Sequence, residues 1–345
     1  MERTTRNTAI DQAAGLMIVV VIIGHTFDWL DLCDSMAWKV VLWLFYFFMP
    51  WFFFKSGMFY NGKPLKEVVK KGFHSLIIPF LSIGLISLVI SFIRNVIILG
   101  GGIFDWFKMV GVAIALHGGI PGNSALWFLT TLFFVRILYC VLHKGVHDGF
   151  IMLITFVVLI LNFVLKNRYT HLLSYLSIPD YLYNSLSGLF FFSAGHLLAR
   201  KQYEIPIVVI AVIIYAIITV FCFSYVDVFH NRVVSGSYVL WFVSSLCGIV
   251  WLNNLFQYTN KYLEFKLLKY IGENSFTFFA THFIVGNFAW LLIINPLNIE
   301  NVYVQLAVYL TSFVIVLPAL NRLFHAQRLL FIIGKSSNQE LCKTE

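Results

Sequence analysis

Residues 13–30 read AAGLMIVVVIIGHTFDWL, an almost unbroken apolar run that contains one histidine, His25. A helix needs about 20 apolar residues to cross the hydrocarbon core of a bilayer. Further runs of this kind follow at about 38–59, 74–94, 124–142, 149–166, 182–200, 205–225, 236–256, 274–294 and 302–324. The sequence therefore predicts an all-α, polytopic membrane protein with about ten transmembrane helices, forming a single domain over 1–345.

The composition agrees with a membrane protein and argues against other classes. Hydrophobic residues make up 60% of the 345 residues and charged residues only 12%, whereas soluble domains carry roughly 25% charge. The net charge of +8 does not indicate a nucleic acid partner, because Lys and Arg are scattered over short segments between the apolar runs. The five cysteines form no CxxC or CxxxC pair, so we predict neither a disulfide framework nor a metal site.

The orientation in the membrane follows from the distribution of Lys and Arg. With the N-terminus in the cytoplasm, 16 of them fall inside and 6 outside, while Lys55 and Arg136 lie within spans. An even number of spans then places the C-terminus in the cytoplasm too. Residues 95–123 contain an apolar run only at 107–116, which is too short to cross, so we predict an interfacial or re-entrant segment there.

Ionisable residues inside apolar spans are costly and mark candidate functional sites. His25 stands 14 residues after Asp11, which places it roughly 20 Å into a bilayer core that is about 30 Å thick. Gly24 beside it would leave room for another group. The alternative interpretation of His25 is a packing residue bonded to a neighbouring carbonyl.

Two further spans carry polar candidates. His282 follows Ser275 by seven residues, which places both on one helix face, although Asn274 and Ser275 are equally typical of helix capping. Arg136 lies inside the fourth span, and the alternative there is a snorkelling or paired arginine.

A basic group precedes the third span. Lys70, Lys71 and His74 are suited to an anionic, phosphorylated ligand, and they are also typical of positive-inside anchoring.

Six short motifs, mostly of aromatic residues and glycine, run through the chain in order. They are RNTAID at 6–11 leading to GHT at 24–26, FMPWFFFKSG at 48–57, KKGFHSLIIPF at 70–80, LWFLTTLF at 126–133, FFFSAG at 190–195, and IGENSF at 271–276 leading to His282. This set resembles the acyltransferase-3 family of integral-membrane acyltransferases, a group that includes sugar O-acetylases. The resemblance covers nearly the whole chain.

The resemblance implies an acyltransferase that takes acyl-CoA, usually acetyl-CoA, as co-substrate and binds no cofactor permanently. It implies an acceptor hydroxyl on a cell-surface polysaccharide or on its lipid-linked precursor, and a location in a bacterial cytoplasmic membrane. His25 matches the essential histidine of the family, which would act as general base or carry the acyl group. We count Asp11, in the same motif, as a second catalytic candidate.

The remaining candidates follow from the other motifs. Lys70, Lys71, His74 and Arg6 are predicted to bind the CoA phosphates, and Trp127, Asn274, Ser275, His282 and Arg136 to line the substrate site. The chain departs from the family pattern at Ala14, eleven residues before His25, where a cation is usual.

Two other functions stay open. One is a non-catalytic relative that binds a surface glycan, which Ala14 would favour, and the other is a transporter or export component. The sequence leaves the acceptor sugar and the oligomeric state open.

Overall fold

The structure is a computed structural model that describes residues 7–168, 179–198, 204–229, 232–326 and 329–334. Almost all of its regular elements are helices, which we number in chain order. They are α1 (Thr8–Trp29), α2 (Met36–Phe45), α3 (Phe48–Met58), α4 (Leu65–Gly72), α5 (Ile78–Phe92), α6 (Ile103–Val112), α7 (Trp127–Leu142), α8 (Asp148–Arg168), α9 (Asp180–Leu198), α10 (Ile205–Phe221), α11 (Tyr238–Thr259), α12 (Lys266–Glu273), α13 (Ser275–Ala289) and α14 (Val302–Phe324).

Short helical segments of other kinds adjoin these helices. Wider π-helical segments cover Phe73–Ile77, Ile93–Ile98, Ala113–His117 and Trp290–Ile294, and 3₁₀ turns cover Ser124–Leu126 and Leu330–Ile333. The first π segment leads into Pro79, whose missing N–H cannot continue the α-helical hydrogen-bond ladder. The wider turn accommodates this loss, and the helical segment runs from Leu65 to Ile98, so it begins well before the predicted start at residue 74.

Seven helical segments within the described residues are long and apolar enough to cross a membrane. They are Thr8–Trp29, Met36–Met58, Leu65–Ile98, Ser124–Leu142, Tyr238–Thr259, Ser275–Ile294 and Val302–Phe324. Each coincides with a predicted span, so the prediction of a helical, multi-pass membrane protein is confirmed at this level. The apolar parts of α8 and α10 are shorter, and α9 is not one of the seven. The count of ten and the cytoplasmic location of both ends stay predictions.

One predicted span is wrong at its end. The helix expected over 205–225 stops at Phe221, and the chain turns into an antiparallel pair of strands, β1 (Tyr225–Asp227) and β2 (Arg232–Ser235). Ser224 closes the base of this hairpin, because its hydroxyl accepts a hydrogen bond from the backbone N–H of Ser237 at 3.0 Å. Over the described residues the fold is therefore helical apart from this two-stranded hairpin, which the all-α prediction did not include.

The second predicted span, 38–59, is interrupted between α2 and α3. A turn at Tyr46 and Phe47 separates the two helices, and Pro50 lies in the first turn of α3. A proline clashes with the carbonyl four residues earlier, here that of Tyr46, so one straight helix through both parts is disfavoured.

Two of the sequence motifs pack against each other through their final glycines. A Cβ added at Gly57 of α3 would overlap the carbonyl oxygen of Phe192 in α9, and one at Gly195 of α9 would overlap that of Phe54 in α3. Small residues allow helix backbones to approach closely in membranes, where van der Waals contact drives association. This reciprocal contact explains why each motif has a glycine at this position: a larger side chain would overlap the backbone of the other helix.

The segment after α6 forms a buried loop between two helices. Ile120 and Asn123 are 4% and 0% exposed. The Asn123 side chain donates a hydrogen bond to the carbonyl of Ala280 at 2.8 Å, and the side chain of Asn287 donates to the carbonyl of Gly122 at 3.0 Å. Irregular backbone is tolerated at membrane depth where protein groups satisfy it, as they do here. Its position relative to lipid stays a prediction.

Candidate functional site

Helix α1 holds His25 in a fixed position. At one end, a Cβ added at Gly15 would overlap the carbonyl oxygen of Leu268 in α12. At the other end, a Cβ added at Gly24 would lie 2.7 Å from the ring of Trp38. The room that Gly24 was predicted to leave is therefore filled by this indole, and it is not available to a substrate.

The two candidate histidines lie side by side. The ring centroids of His25 and His282 are 5.4 Å apart with an angle of 30° between the planes, and Phe283 packs edge-on against His25 at 4.8 Å. His282 is fully buried. Sequence alone placed these residues in separate motifs, and the structure brings them together.

The hydrogen bonds of His282 fix its tautomer. Its Nδ1 lies 2.6 Å from the carbonyl oxygen of Phe279, and because a carbonyl only accepts, Nδ1 carries the proton. Nε2 is then the nitrogen with the lone pair. This atom is buried and has no hydrogen-bond partner among the described residues. Its lone pair can therefore accept a hydrogen bond.

A cavity of about 530 Å³ lies between the helices on the side of Phe279, and neither His25 nor His282 lines it. Four predicted site residues line it, namely Lys71, Arg136, Asn274 and Ser275. Its volume lies within the range of roughly 300–1,000 Å³ that is typical of small-molecule sites.

The charged lining of the cavity is mostly positive. Among the described residues, its charged side chains are those of Lys55, Lys63, Lys71, Arg136 and Glu273. Lys63 is paired with Glu67, outside the lining, at 2.7 Å, and the guanidinium of Arg136 lies 3.5 Å from the Ser75 hydroxyl. A wall with several cations and one carboxylate favours an anionic ligand.

The cavity stops one aromatic ring short of the histidine pair. Ile18, Phe128 and Phe279 line it, and the Phe279 ring is 5.5 Å from that of Phe128 and 6.2 Å from that of His282. Ile18 and His25 are seven residues apart on α1, and therefore on one face and about 10 Å apart along the axis. Phe279 thus separates the cavity from His282.

Asn274 does not act as the helix cap that its position suggested. It stands at the start of α13, but its side chain makes no capping hydrogen bond to that helix. Instead, its Nδ2 donates to the carbonyl of Tyr270 at 2.9 Å. The simple capping interpretation therefore does not account for Asn274.

Other predicted site residues lie apart from the cavity. Lys70 and His74 are exposed and do not line it. Asp11 is buried against α12 and lies about 21 Å along the axis of α1 from His25, because 14 residues at 1.5 Å separate them. Trp127 packs on Phe229 at 5.6 Å. Arg6 lies outside the described residues, and the roles of all these residues stay predictions.

Sequence reasoning did not select Phe279 or Lys55 as site residues. Lys55 had a usable signal, since a lysine within an apolar span is costly and marks a candidate site. Phe279 had none, because one phenylalanine among 36 cannot be distinguished until its neighbours are known.

The position that departs from the family pattern lies one turn from a cavity residue and does not itself line the cavity. Ala14 is fully buried and stands one turn before Ile18, on the same face of α1. A side chain at residue 14 therefore faces the same region as Ile18, and an alanine supplies no charge there.

The helical membrane architecture and the site together define a class, the multi-pass membrane proteins with a polar site between their helices. Comparison with protein families then gives a match over residues 7–321 to the acyltransferase domain of the acyltransferase-3 family. The chain belongs to this family. Comparisons with curated proteins and with solved structures give no match.

Proposed function

We propose that this chain transfers an acyl group, acetyl in the simplest case, from acyl-CoA to a hydroxyl of a cell-surface carbohydrate or its lipid-linked precursor. The observation that carries the proposal is a cavity with cationic walls that ends at Phe279, the residue whose ring lies 6.2 Å from that of His282. Family membership supports acyl transfer. The donor, the acceptor and the bacterial cytoplasmic membrane are part of the proposal.

The cavity is the proposed donor site. CoA carries phosphates, which charge-assisted hydrogen bonds from Arg136 and Lys71 would bind. The apolar end at Ile18, Phe128 and Phe279 suits the pantetheine arm and the thioester. Phe279 must then move aside for the thioester to reach His25.

The proposed chemistry is direct transfer with general-base catalysis. The acceptor hydroxyl gives its proton to a ring nitrogen of His25 as its oxygen attacks the thioester carbonyl. The carbon–sulfur bond breaks, an ester forms, and the departing CoA thiolate takes the proton from His25. Nε2 of His282 accepts a hydrogen bond from a second hydroxyl of the acceptor or from a bridging water, and so positions the reacting hydroxyl.

The test measures acylation and folding of the same variants. His25→Ala should remove the acyl mass increment from the surface glycan, because loss of a general base typically lowers the rate by 10²–10⁴. The purified variant should keep a cooperative thermal transition in detergent. His282→Ala should lower acylation less, with its main effect on acceptor KM.

Two results would overturn the proposal. If His25→Ala lowers thermal stability but leaves normalised acylation unchanged, His25 is a packing residue. If wild type transfers no acyl group, the chain is a non-catalytic relative, the reading that Ala14 favours, or a transporter.

A further inference from the structure

A second cluster of ionisable side chains lies where α7, α8 and α9 meet, apart from the histidine pair. Asp148 is the first residue of α8, His143 follows the end of α7, and His196 lies in the last turn of α9. Neither histidine was selected from the sequence. They are 53 residues apart in the chain, and only the packing of the helices brings them together.

Both imidazoles present the same nitrogen to one carboxylate. Nδ1 of His143 is 2.9 Å from Oδ1 of Asp148, and Nδ1 of His196 is 2.7 Å from Oδ2. The hydroxyl of Tyr139 is 2.5 Å from Asp148 Oδ1, 2.7 Å from Nδ1 of His196 and 3.1 Å from that of His143. One ligand atom each from the two histidines and Asp148 lie within 4.8 Å of one another.

We propose that His143, Asp148 and His196 bind a divalent transition-metal ion of the Zn²⁺ class. Two imidazole nitrogens and one carboxylate are a ligand set that such ions prefer, whereas Mg²⁺ and Ca²⁺ prefer oxygen alone. Three protein ligands leave a fourth, open position for water. The hydroxyl of Tyr139 donates to Asp148 and orients it, as outer-shell groups do in metal sites.

The three side chains must shift to hold the ion. Tetrahedral zinc with bonds of about 2.0–2.1 Å has ligand atoms about 3.3 Å apart. Here the two Nδ1 atoms lie 2.7 and 2.9 Å from different oxygens of Asp148, and the three ligand atoms lie within 4.8 Å of one another, so the separations must change by up to about 1.5 Å. The side chains of His143 and His196 are 33% and 22% exposed, while that of Asp148 is 7% exposed. The two histidines therefore have room to retreat, and an ion can reach them from water.

Nδ1 of each histidine can either bind a metal or donate a hydrogen bond to Asp148, but it cannot do both. Without metal, each Nδ1–H donates to the carboxylate and the cluster satisfies itself. A metal takes the place of these protons, so binding releases them and weakens as pH falls. The experiment must therefore distinguish a metal-bound cluster from one that is held by hydrogen bonds alone.

The cluster is connected to the cavity through aromatic residues, of which Phe192 lines the cavity and packs on Tyr139 at 4.8 Å. The ring of Tyr60 packs edge-on against Tyr139, His143 and His196, with centroid distances of 4.8, 5.8 and 5.5 Å. Tyr60 also lines the cavity. Bound metal would fasten the ends of α7 and α9 to the start of α8 and stiffen the wall behind Tyr60. This proposal stands independently of acyl transfer.

The experiment uses the full chain, purified in detergent without a histidine tag and stripped with a chelator. Zn²⁺ is titrated in competition with a chromophoric chelator, and Co²⁺ is added separately as a spectroscopic probe. We expect one Zn²⁺ per chain, release of protons, and a visible Co²⁺ spectrum of nitrogen and oxygen ligation without thiolate charge-transfer bands. The absence of thiolate charge-transfer bands would exclude the nearby Cys140 as a metal ligand; its thiol lies 3.5 Å from the Lys63 carbonyl.

The variants His143→Gln and His196→Gln should each weaken Zn²⁺ binding by at least about a hundredfold, since even outer-shell changes cost 10–100-fold. His147→Gln is the matched control, because His147 lies in the same loop but its Nδ1 accepts from the N–H of Gly149 instead. Binding unchanged in the two variants would overturn the proposal. The wild-type titration tests it without any variant, since a chain that competes for no Zn²⁺ holds only a hydrogen-bonded cluster.

Discussion

The carbonyl oxygen of Asp11 lies so close to Gly272 that a Cβ at residue 272 would overlap it. Gly15 makes the same kind of contact with Leu268, one turn later in α1 and one turn earlier in α12. The first and the sixth sequence motifs are therefore in backbone contact. This contact fixes α1, which carries His25, against the helix that immediately precedes α13 and His282.

Substitution of Gly272 tests this contact. Gly272→Ala should lower the free energy of unfolding by about 1–3 kcal/mol, because overpacking forces the two backbones apart. The measurement is thermal unfolding in detergent. Gly111→Ala is the control, since a Cβ at that helical glycine meets nothing within 4 Å, and alanine there should be neutral or stabilising by up to about 1 kcal/mol. Equal midpoints for the two variants would contradict the contact.

The lysines at the end of α4 should differ in their effect on donor binding. Lys71 lines the cavity and Lys70 does not, although both are exposed. An exposed charge contributes at most about 1 kcal/mol, so Lys71→Ala should raise the KM for acyl-CoA up to about fivefold. Lys70→Ala should leave that KM unchanged. The measurement is the KM for acyl-CoA of both variants from steady-state kinetics. A larger increase for Lys70→Ala would show that the proposed contact between Lys71 and the donor is wrong.

Arg136 should have the stronger effect, because it is partly buried in the cavity wall. A hydrogen bond to a charged group contributes about 1.5–3 kcal/mol. Arg136→Gln should therefore raise the KM for acyl-CoA by about tenfold or more, with a smaller change in kcat. An effect confined to kcat would place Arg136 at the reaction rather than at the phosphates.

Phe279 should control access from the cavity to the histidines. Phe279→Leu removes part of the ring that separates them, so kcat/KM for butyryl-CoA should rise relative to that for acetyl-CoA. Phe278→Leu is the control, since Phe278 is equally buried but does not line the cavity. If the two variants show the same donor preference, Phe279 is not a barrier.

The orientation in the membrane can be tested at two exposed loops. Gly62, between α3 and α4, has open space around it, and Asn298 precedes α14 in an exposed loop. The charge distribution predicts that residue 62 faces the cytoplasm and residue 298 faces outward. Single cysteines at these positions, labelled with a membrane-impermeant reagent in intact cells, should react only at 298. Labelling at 62 alone would invert the orientation.

Seven of the ten predicted spans coincide with helical segments long and apolar enough to cross a membrane, because an apolar run must satisfy its backbone polar groups within a helix. The prediction failed at 222–225, where the chain leaves the helix for a hairpin, and at 46–47, where a turn precedes Pro50. The motif glycines at 57 and 195 could be seen in the sequence, but their reciprocal contact could not, because it depends on which helices are neighbours.

The sequence predicted individual residues of the candidate site, but not how they are arranged. A buried histidine is conspicuous in an apolar run, so both His25 and His282 could be selected by their chemistry alone. Their pairing, the barrier at Phe279 and the cluster around Asp148 depend on distances between helices that are far apart in sequence. Spacing within one helix carries no information about those distances.

The close packing of α1 at its glycines has a consequence for the choice of substrate. Gly15 and Gly24 are both closely packed against neighbouring groups, so in the proposed reaction the thioester would have to reach the imidazole of His25. The distance from Ile18 to His25, about 10 Å along the helix, would then set the length of the donor arm that the site accepts. A longer acyl chain would need additional space beyond His25.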